Sequence, residues 1–322
     1  MMTTDGLAAP PGGSAPPVAP GAAEHLSAGR KRRRRSENLR GWLYCSPFLA
    51  AFVLFLIWPT VYGLWMSFTS ASLAGTNTEF VGLDNWVEAL GDPIVWRSLG
   101  NTVWFTVLST IPLVVVAMLM AVLVNLGLPG QWFWRLSFFL PFLLASTVVS
   151  QFWAWMYNPQ LGLINTFLGW FGVTGPAWLQ DPGTAMIAVV VTTVWWTIGF
   201  NFLLYLAALQ NIPDHLYEAA SLDGAGGLRK FLSITLPQLA PTTVLVLVLQ
   251  LLASLKVFDQ IYQMTGGGPG GATRPILVYI YEAGFTGYRL GYASAISYIF
   301  FFMIIIVSVA YMVISSRRSV KA

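Results

Sequence analysis

The chain has 322 residues, 56% of them hydrophobic and only 9% charged, and a formal net charge of +4. Soluble domains carry about 25% charged residues, so a soluble globular class is excluded. The positive excess follows membrane topology and makes no case for nucleic acid. Aromatics reach 15% with 14 Trp, which suits helix ends in the headgroup layer. The one cysteine, Cys45, rules out an intrachain disulfide and reads as a small buried hydrophobe at the mouth of the first apolar segment.

Residues 1–39 are rich in Ala, Pro and Gly and are expected to be a disordered tail. The run from Arg30 to Arg35, with Arg40, lies within ten residues of an apolar segment, so it reads as a cytoplasmic anchor beside anionic lipid. That segment is far longer than the ~7–15-residue core of a cleavable signal peptide, so none is expected. Residues 40–318 read as one domain, an all-α membrane protein with six transmembrane helices at about 42–69, 101–126, 132–157, 184–209, 239–263 and 290–314.

After the first span, Phe80-Val81-Gly82-Leu83-Asp84-Asn85-Trp86, Asp92-Pro93 and Trp96 predict a short amphipathic helix between turns. Gly127-Leu128-Pro129-Gly130 is a tight turn joining the second and third spans. The third span carries Gln151, Trp153 and Trp155. Asp181-Pro182-Gly183 opens the fourth, which carries Thr192, Thr193, Trp195, Trp196, Thr197 and Asn201. The fifth carries Gln250, Ser254, Lys256 and Asp259 and ends at the glycine run Gly266–Gly271. No strand precedes that run and no Lys follows in phosphate-loop spacing, so a phosphate role is not expected.

Lysine and arginine orient the chain. With both termini inside, the tail, Arg135, Arg229, Lys230, Arg317, Arg318 and Lys321 hold 13 of the 17 basic residues on the cytoplasmic side. Arg97, Arg274 and Arg289 then lie outside. This places residues 211–238 in the cytoplasm.

That loop is too ordered in composition for a tether. Asn211-Ile212-Pro213-Asp214 predicts a helix start, with Asn211 as cap. Leu216–Leu222 favours helix, and Gly224, Gly226 and Gly227 stop it. A second helix sets Leu228, Phe231, Leu232, Thr235 and Leu236 against Arg229 and Lys230, and Pro237 ends it. This second helix is expected along the inner membrane surface. In the first, Ala219 and Ala220 permit close approach, Glu218 and Asp223 suit a basic partner, and Gly224 permits a sharp turn. A docking helix and a passive re-entrant loop both remain open on these residues.

Polar residues inside spans are functional suspects. Thr193, Thr197 and Phe200 share a stripe of the fourth span, with Trp196 beside them. Gln250, Ser254 and Phe258 recur at i, i+4, i+8 in the fifth. On an unbroken helix at ~1.5 Å per residue from Leu239, Lys256 and Asp259 stand about 25–30 Å up, near the outer surface. There Lys256 snorkels, and Asp259 either lines the outer mouth or caps the helix end.

Glu218-Ala219-Ala220, Asp223-Gly224-Ala225 and Ile234-x-Leu236-Pro237 together resemble the EAA signature of permease subunits of binding-protein-dependent ABC importers. Phe80–Leu83, Phe258-Asp259-x-Ile261-Tyr262 and Thr265–Pro269 are similar to the carbohydrate-uptake branch, and the resemblance runs from about residue 40. It implies the type I importer fold, with 211–238 holding a coupling helix whose Glu218, Ala219, Ala220, Asp223, Gly224 and Ala225 dock on an ATPase. It also implies a second homologous permease in a heterodimer, two cytoplasmic ATPase subunits and an extracytoplasmic solute-binding protein. A sugar, a di- or oligosaccharide foremost, is the implied cargo, on a path formed by spans four and five; the same machinery carries glycerol-phosphate diesters or polyols in relatives. The chain lacks G-x-x-x-x-G-K-[ST], so ATP and Mg are expected on the partner subunits, and no cofactor, metal or catalytic residue is expected here. A secondary transporter or channel, the reading from another class, would want intramembrane acids or histidines; His25 and His215 fall outside the spans and Asp259 is the one acid in any. Nothing in the residues favours a membrane enzyme.

Overall fold

The computed structural model describes residues 42–75, 78–127 and 129–319. The basic tail and Leu128 of the Gly–Pro turn lie outside them. Among the described residues the chain is helical, with a single antiparallel bridge between Thr69 and Phe80. It divides into two compact units, Met1–Tyr62 and Gly63–Ala322.

The first unit holds most of helix α1 (Trp42–Met66). Pro59 lacks the N–H that would bond the Phe55 carbonyl, and its ring crowds that oxygen. A π-turn over Val53–Ile57, closed by the Trp58 N–H on the Val53 carbonyl, widens the helix just before it. Cys45 lies on this helix and is exposed, not buried as expected, because the helical window around it buries none of its residues.

The second unit continues with α2 (Asp84–Gly91), α3 (Pro93–Asn125), α4 (Gln131–Leu143), α5 (Ser146–Met156), α6 (Leu163–Trp170) and α7 (Ala185–Gln210). Then come α8 (Asp214–Leu222), α9 (Gly227–Gln238), α10 (Ala240–Leu255), α11 (Asp259–Met264), α12 (Ile276–Thr286) and α13 (Leu290–Ser319). Among the described residues four helices are long and apolar enough to cross a membrane, and the bent pairs α4–α5 and α9–α10 bring the number to as many as six.

Two expected spans are broken. Pro141 tightens Leu140–Leu143 into a 3-10 turn, Leu144 and Ala145 are extended, and α5 leaves at 98° to α4. At the break the Trp196 indole N–H donates to the Leu144 carbonyl at 3.2 Å, satisfying one backbone acceptor that the interrupted helix leaves open. The fifth span stops at Leu255, passes through Lys256-Val257-Phe258 and restarts as α11.

Apolar burial does not drive helices together in lipid, so close packing and interhelical hydrogen bonds must. The main core shows the packing. Leu113, Ala117, Ala121 and Val124 recur along α3, and the two alanines, fully buried, let α7 approach with Phe202, Tyr205 and Leu209. Leu239 and Val246 bring α10 into the same cluster. At Gly199, α7 meets the backbone of α4: a Cβ there would overlap the Phe138 carbonyl and the Phe139 Cα. A second cluster, with Phe105, Val189 and Ile261, seats α11.

The last cluster joins α2, α3, α12 and α13 through Ala89, Val95, Ile276 and Ile296. Beside it Asp92 caps α3, accepting the Ile94 N–H at 2.8 Å and the hydroxyls of Tyr279 and Tyr292 at 2.5 and 2.6 Å. The glycine run is held firmly: Asn101 Nδ2 donates to the carbonyls of Gly271 and Arg274, and Thr273 Oγ1 to that of Gly268.

Candidate functional site

Two features stand at the ends of the α3–α7–α10 core: the loop carrying α8, and a cavity between α7 and α10.

In the loop, Asn211 does not open the helix. Its amide donates to the Ala207 carbonyl at 3.0 Å and so caps the end of α7, whose last carbonyls lack helical partners. Pro213, with ψ of 132°, holds the N-cap position, and α8 starts at Asp214. The far end is a Schellman motif: Ala225 N–H bonds the Ala220 carbonyl at 2.9 Å, Gly224 N–H bonds that of Ser221 at 3.1 Å, and Gly224 has φ of +71°. Two side-chain bonds tie α8 to α9, Lys230 Nζ to Ser221 Oγ at 2.5 Å and Tyr217 Oη with Thr235 Oγ1 at 2.9 Å. Leu216, Tyr217 and Ile234 pack on the main core, while Glu218, Ala219, Asp223 and Gly224 are exposed and Ala220 and Ala225 half-buried. Leu222, 90% exposed, stands among them.

The α9 helix departs from the expected simple amphipathic form. Pro237 does not end it; a π-turn over Phe231–Thr235 makes room for the proline and the helix runs to Gln238. Thr235 is buried, Leu228 is exposed, and Lys230 bends back onto Ser221.

The cavity has a volume of about 410 Å³. Thr193, Trp196, Thr197 and Phe200 of α7 line it, as do Gln250 and Ser254 of α10 and, from the break beyond, Phe258 and Asp259. The structure thus brings all eight residues singled out from the sequence to one cavity. Their roles differ. Asn201 donates to Gln250 Oε1 at 3.1 Å, Gln250 Nε2 donates to Ser254 Oγ at 3.0 Å, and Ser254 Oγ pairs with Ser109 Oγ of α3 at 3.0 Å. This chain is buried throughout and clamps α7, α10 and α3 together. Thr193 donates to the Val189 carbonyl and accepts from Gln260 Nε2, and Thr197 donates to the Thr193 carbonyl. Phe142 of α4 stacks on Phe200 with centroids 5.4 Å apart and presents an aromatic wall.

Ser109, Phe142, Asn201 and Gln260 were not among the predicted contacts. Asn201 carried a signal, as an amide inside a span. Ser109 ends a polar series with Thr102 and Thr106 on α3; Phe142 carried none, because the bend after it was not foreseen.

Lys256 and Asp259 also differ from expectation. They are not an i, i+3 pair near the top of one helix, and Phe258 does not continue the face of Gln250 and Ser254. The α10 helix ends first, with Lys256 as C-cap and Phe258 at φ −142°, ψ −67°. Lys256 stands at the negative end of α10, and Asp259 in the first turn of α11, at its positive end. Both are exposed to the cavity, and neither has an ion-pair or hydrogen-bond partner among the described residues. A helix end returns about 0.3–1 kcal/mol to such a charge, and the break leaves both side chains open to the cavity.

Residues 95–320 match the model of the family described as binding-protein-dependent transport system inner membrane component. The chain is 35% identical over 277 residues to the sulfoquinovosyl glycerol transport system permease protein SmoG of Agrobacterium fabrum, covering 86% of this chain and 90% of that one. It is 38% identical over 271 residues to the sn-glycerol-3-phosphate transport system permease protein UgpA of Salmonella typhimurium, covering 83% and 91%. Among solved structures it resembles a chain of a bacterial ABC transporter involved in the import of the acidic polysaccharide alginate, with a TM-score of 0.78 and 26% identity, over 88% of this chain and 99% of that one. A second alginate transporter structure, in complex with a periplasmic protein bound to an alginate pentasaccharide, matches with a TM-score of 0.75 and 25% identity, over 89% and 96%. With the family model covering more than half of its length, this chain belongs to the binding-protein-dependent transport system inner membrane components, the multi-pass permease subunits of ABC importers.

Proposed function

We propose that this permease carries a sugar or sugar-like solute along a path made partly by α7 and α10, and that α8 couples the path to ATP hydrolysis on another chain. One observation carries the reading. The docking face of α8 is exposed, yet its other side packs through Leu216 and Tyr217 on the same core that seats the cavity walls. A push on α8 therefore reaches α7 and α10 through rigid contacts. Glu218, Ala219, Ala220, Asp223, Gly224 and Ala225 form that face, two cytoplasmic ATPase subunits bind ATP and Mg, and this subunit itself is non-catalytic. A second homologous permease completes the path as a heterodimer, and an extracytoplasmic binding protein delivers the solute, in line with the periplasmic protein in the alginate complex. Both termini lie in the cytoplasm, with the basic tail against lipid.

The cavity volume sits at the small end of the ~300–1,000 Å³ usual for ligand pockets, and its aromatic wall and polar neighbours suit a polyhydroxylated cargo. The relative named for sn-glycerol-3-phosphate supports a second reading, a glycerol-phosphate diester or polyol carried by the same machinery. Co-purification tests the coupling. The ATPase is expected to accompany the wild-type chain and to be lost, with solute-stimulated hydrolysis, from Glu218→Lys. If that variant still assembles and still couples hydrolysis to uptake, α8 is not the docking element.

A further inference from the structure

The polar groups of the cavity wall are nearly all spoken for. Asn201, Gln250, Ser254 and Ser109 satisfy one another, Thr193 and Thr197 bond carbonyls of their own helix, and Trp196 serves the break after α4. Among the described residues, what faces the cavity without a partner is one ammonium and one carboxylate, Lys256 and Asp259, beside the phenyl rings of Phe200 and Phe258. A non-helical break in a span is where backbone and side chains turn toward a water-filled path, and an ionisable group there is a site for a charged ligand.

From this juxtaposition we infer that Lys256 is the counter-charge for an acidic group on the cargo, and that Asp259 accepts hydrogen bonds from cargo hydroxyls. The ligand class is an anionic polyol or acidic glycoside, bearing a carboxylate, phosphate or sulfonate. A neutral sugar can accept hydrogen bonds from the Lys256 ammonium through its hydroxyl oxygens but offers it no counter-charge. An anion with several hydroxyls satisfies both charges, and the aromatic faces take its apolar C–H surface. Asp259 also repels an acid that binds the wrong way round, so the pair orients the cargo. The inference rests on the importer reading and specifies its substrate.

The test uses the assembled importer, purified with its ATPase subunits, so that assembly is scored before any probe is added. If no ATPase co-purifies, the importer reading has failed; everything after that step bears on Lys256. The probes are matched pairs, sn-glycerol 3-phosphate with glycerol and galacturonate with galactose, read as thermal stabilisation of the complex across concentration. At least one acidic probe is expected to stabilise at tenfold or more lower concentration than its neutral partner. Lys256→Gln is expected to erase that difference and Lys256→Arg to keep most of it. A third variant separates charge from packing: Lys256→Cys in a Cys45→Ser background. A thiosulfonate reagent carrying an ammonium group should restore the acidic preference, and one carrying a sulfonate should not. The inference is overturned if no acidic probe outperforms its neutral partner, if Lys256→Gln leaves the preference intact, or if both reagents act alike on the cysteine.

Discussion

Asp92 shows how a single side chain organises the end of the molecule where α2, α3, α12 and α13 meet. Burial by itself pushes its carboxyl pKa up; the hydroxyls of Tyr279 and Tyr292, the Ile94 N–H and the nearby Arg289 guanidinium outweigh that and hold it below the ordinary value of 3.8. The folded-state pKa is thus depressed, so the carboxylate stabilises the fold fully above the unfolded value and ceases to do so as pH falls through the folded one. Bonds to a charged group contribute about 1.5–3 kcal/mol. Solvent screening at this half-buried position reduces the expected stake to roughly 1 kcal/mol. Wild-type melting temperature should have no Asp92-dependent component between pH 8 and 5, and one should develop below about pH 4. Asp92→Asn should melt lower at pH 7 and lack that acid-dependent component; equal pH profiles for the two would show that the tyrosines, not the carboxylate, organise this corner.

At the scale of elements, the cap of α8 is the feature most open to test. Gly224 is left-handed and nothing lies within 4 Å of where its Cβ would be, so the cost of Gly224→Ala is conformational and not steric. A left-handed non-glycine residue costs about 1 kcal/mol, enough to loosen the turn that fixes the proposed docking face. Solute-stimulated ATPase activity of the assembled transporter should fall several-fold in Gly224→Ala. It should hold in Gly227→Ala, where φ is ordinary and the space is also open. Parity of the two variants would mean that the cap does not set the angle of α8.

The loop was legible because its signals are local: a proline before the helix, a glycine after it, small residues between. Asn211 and Pro237 misled because each has two uses, and tertiary context chose the other one, the end of α7 for Asn211 and a π-turn around Pro237. The breaks in the third and fifth spans were hidden for a different reason. Hydropathy reports how apolar a stretch is and not whether its helix is continuous, and Leu144 and Lys256-Val257-Phe258 leave the average intact. The cavity residues could be found from polarity inside spans, but their division into a clamp and a free pair depends on partners far apart in sequence, as in Ser109 with Ser254.

For the whole molecule, charge and structure make one joint demand. The exposed face of α8 and the loop between α1 and α2 must lie on opposite sides of the membrane if 13 of 17 basic residues are cytoplasmic. His215 and Ala74 are exposed and represent the two sides. Each can be replaced by cysteine after Cys45→Ser removes the native thiol. A membrane-impermeant maleimide added to intact cells with a permeable outer envelope should label Ala74→Cys and leave His215→Cys untouched. Inverted vesicles should reverse the pattern. Labelling of His215→Cys from outside would put the α8 face beyond reach of any cytoplasmic ATPase, and the proposed coupling would fail together with the orientation. The opposite result is the one the proposed coupling requires, in which energy enters at α8, passes through the α3–α7–α10 core, and reaches the broken end of α10 where Lys256 and Asp259 face the cavity.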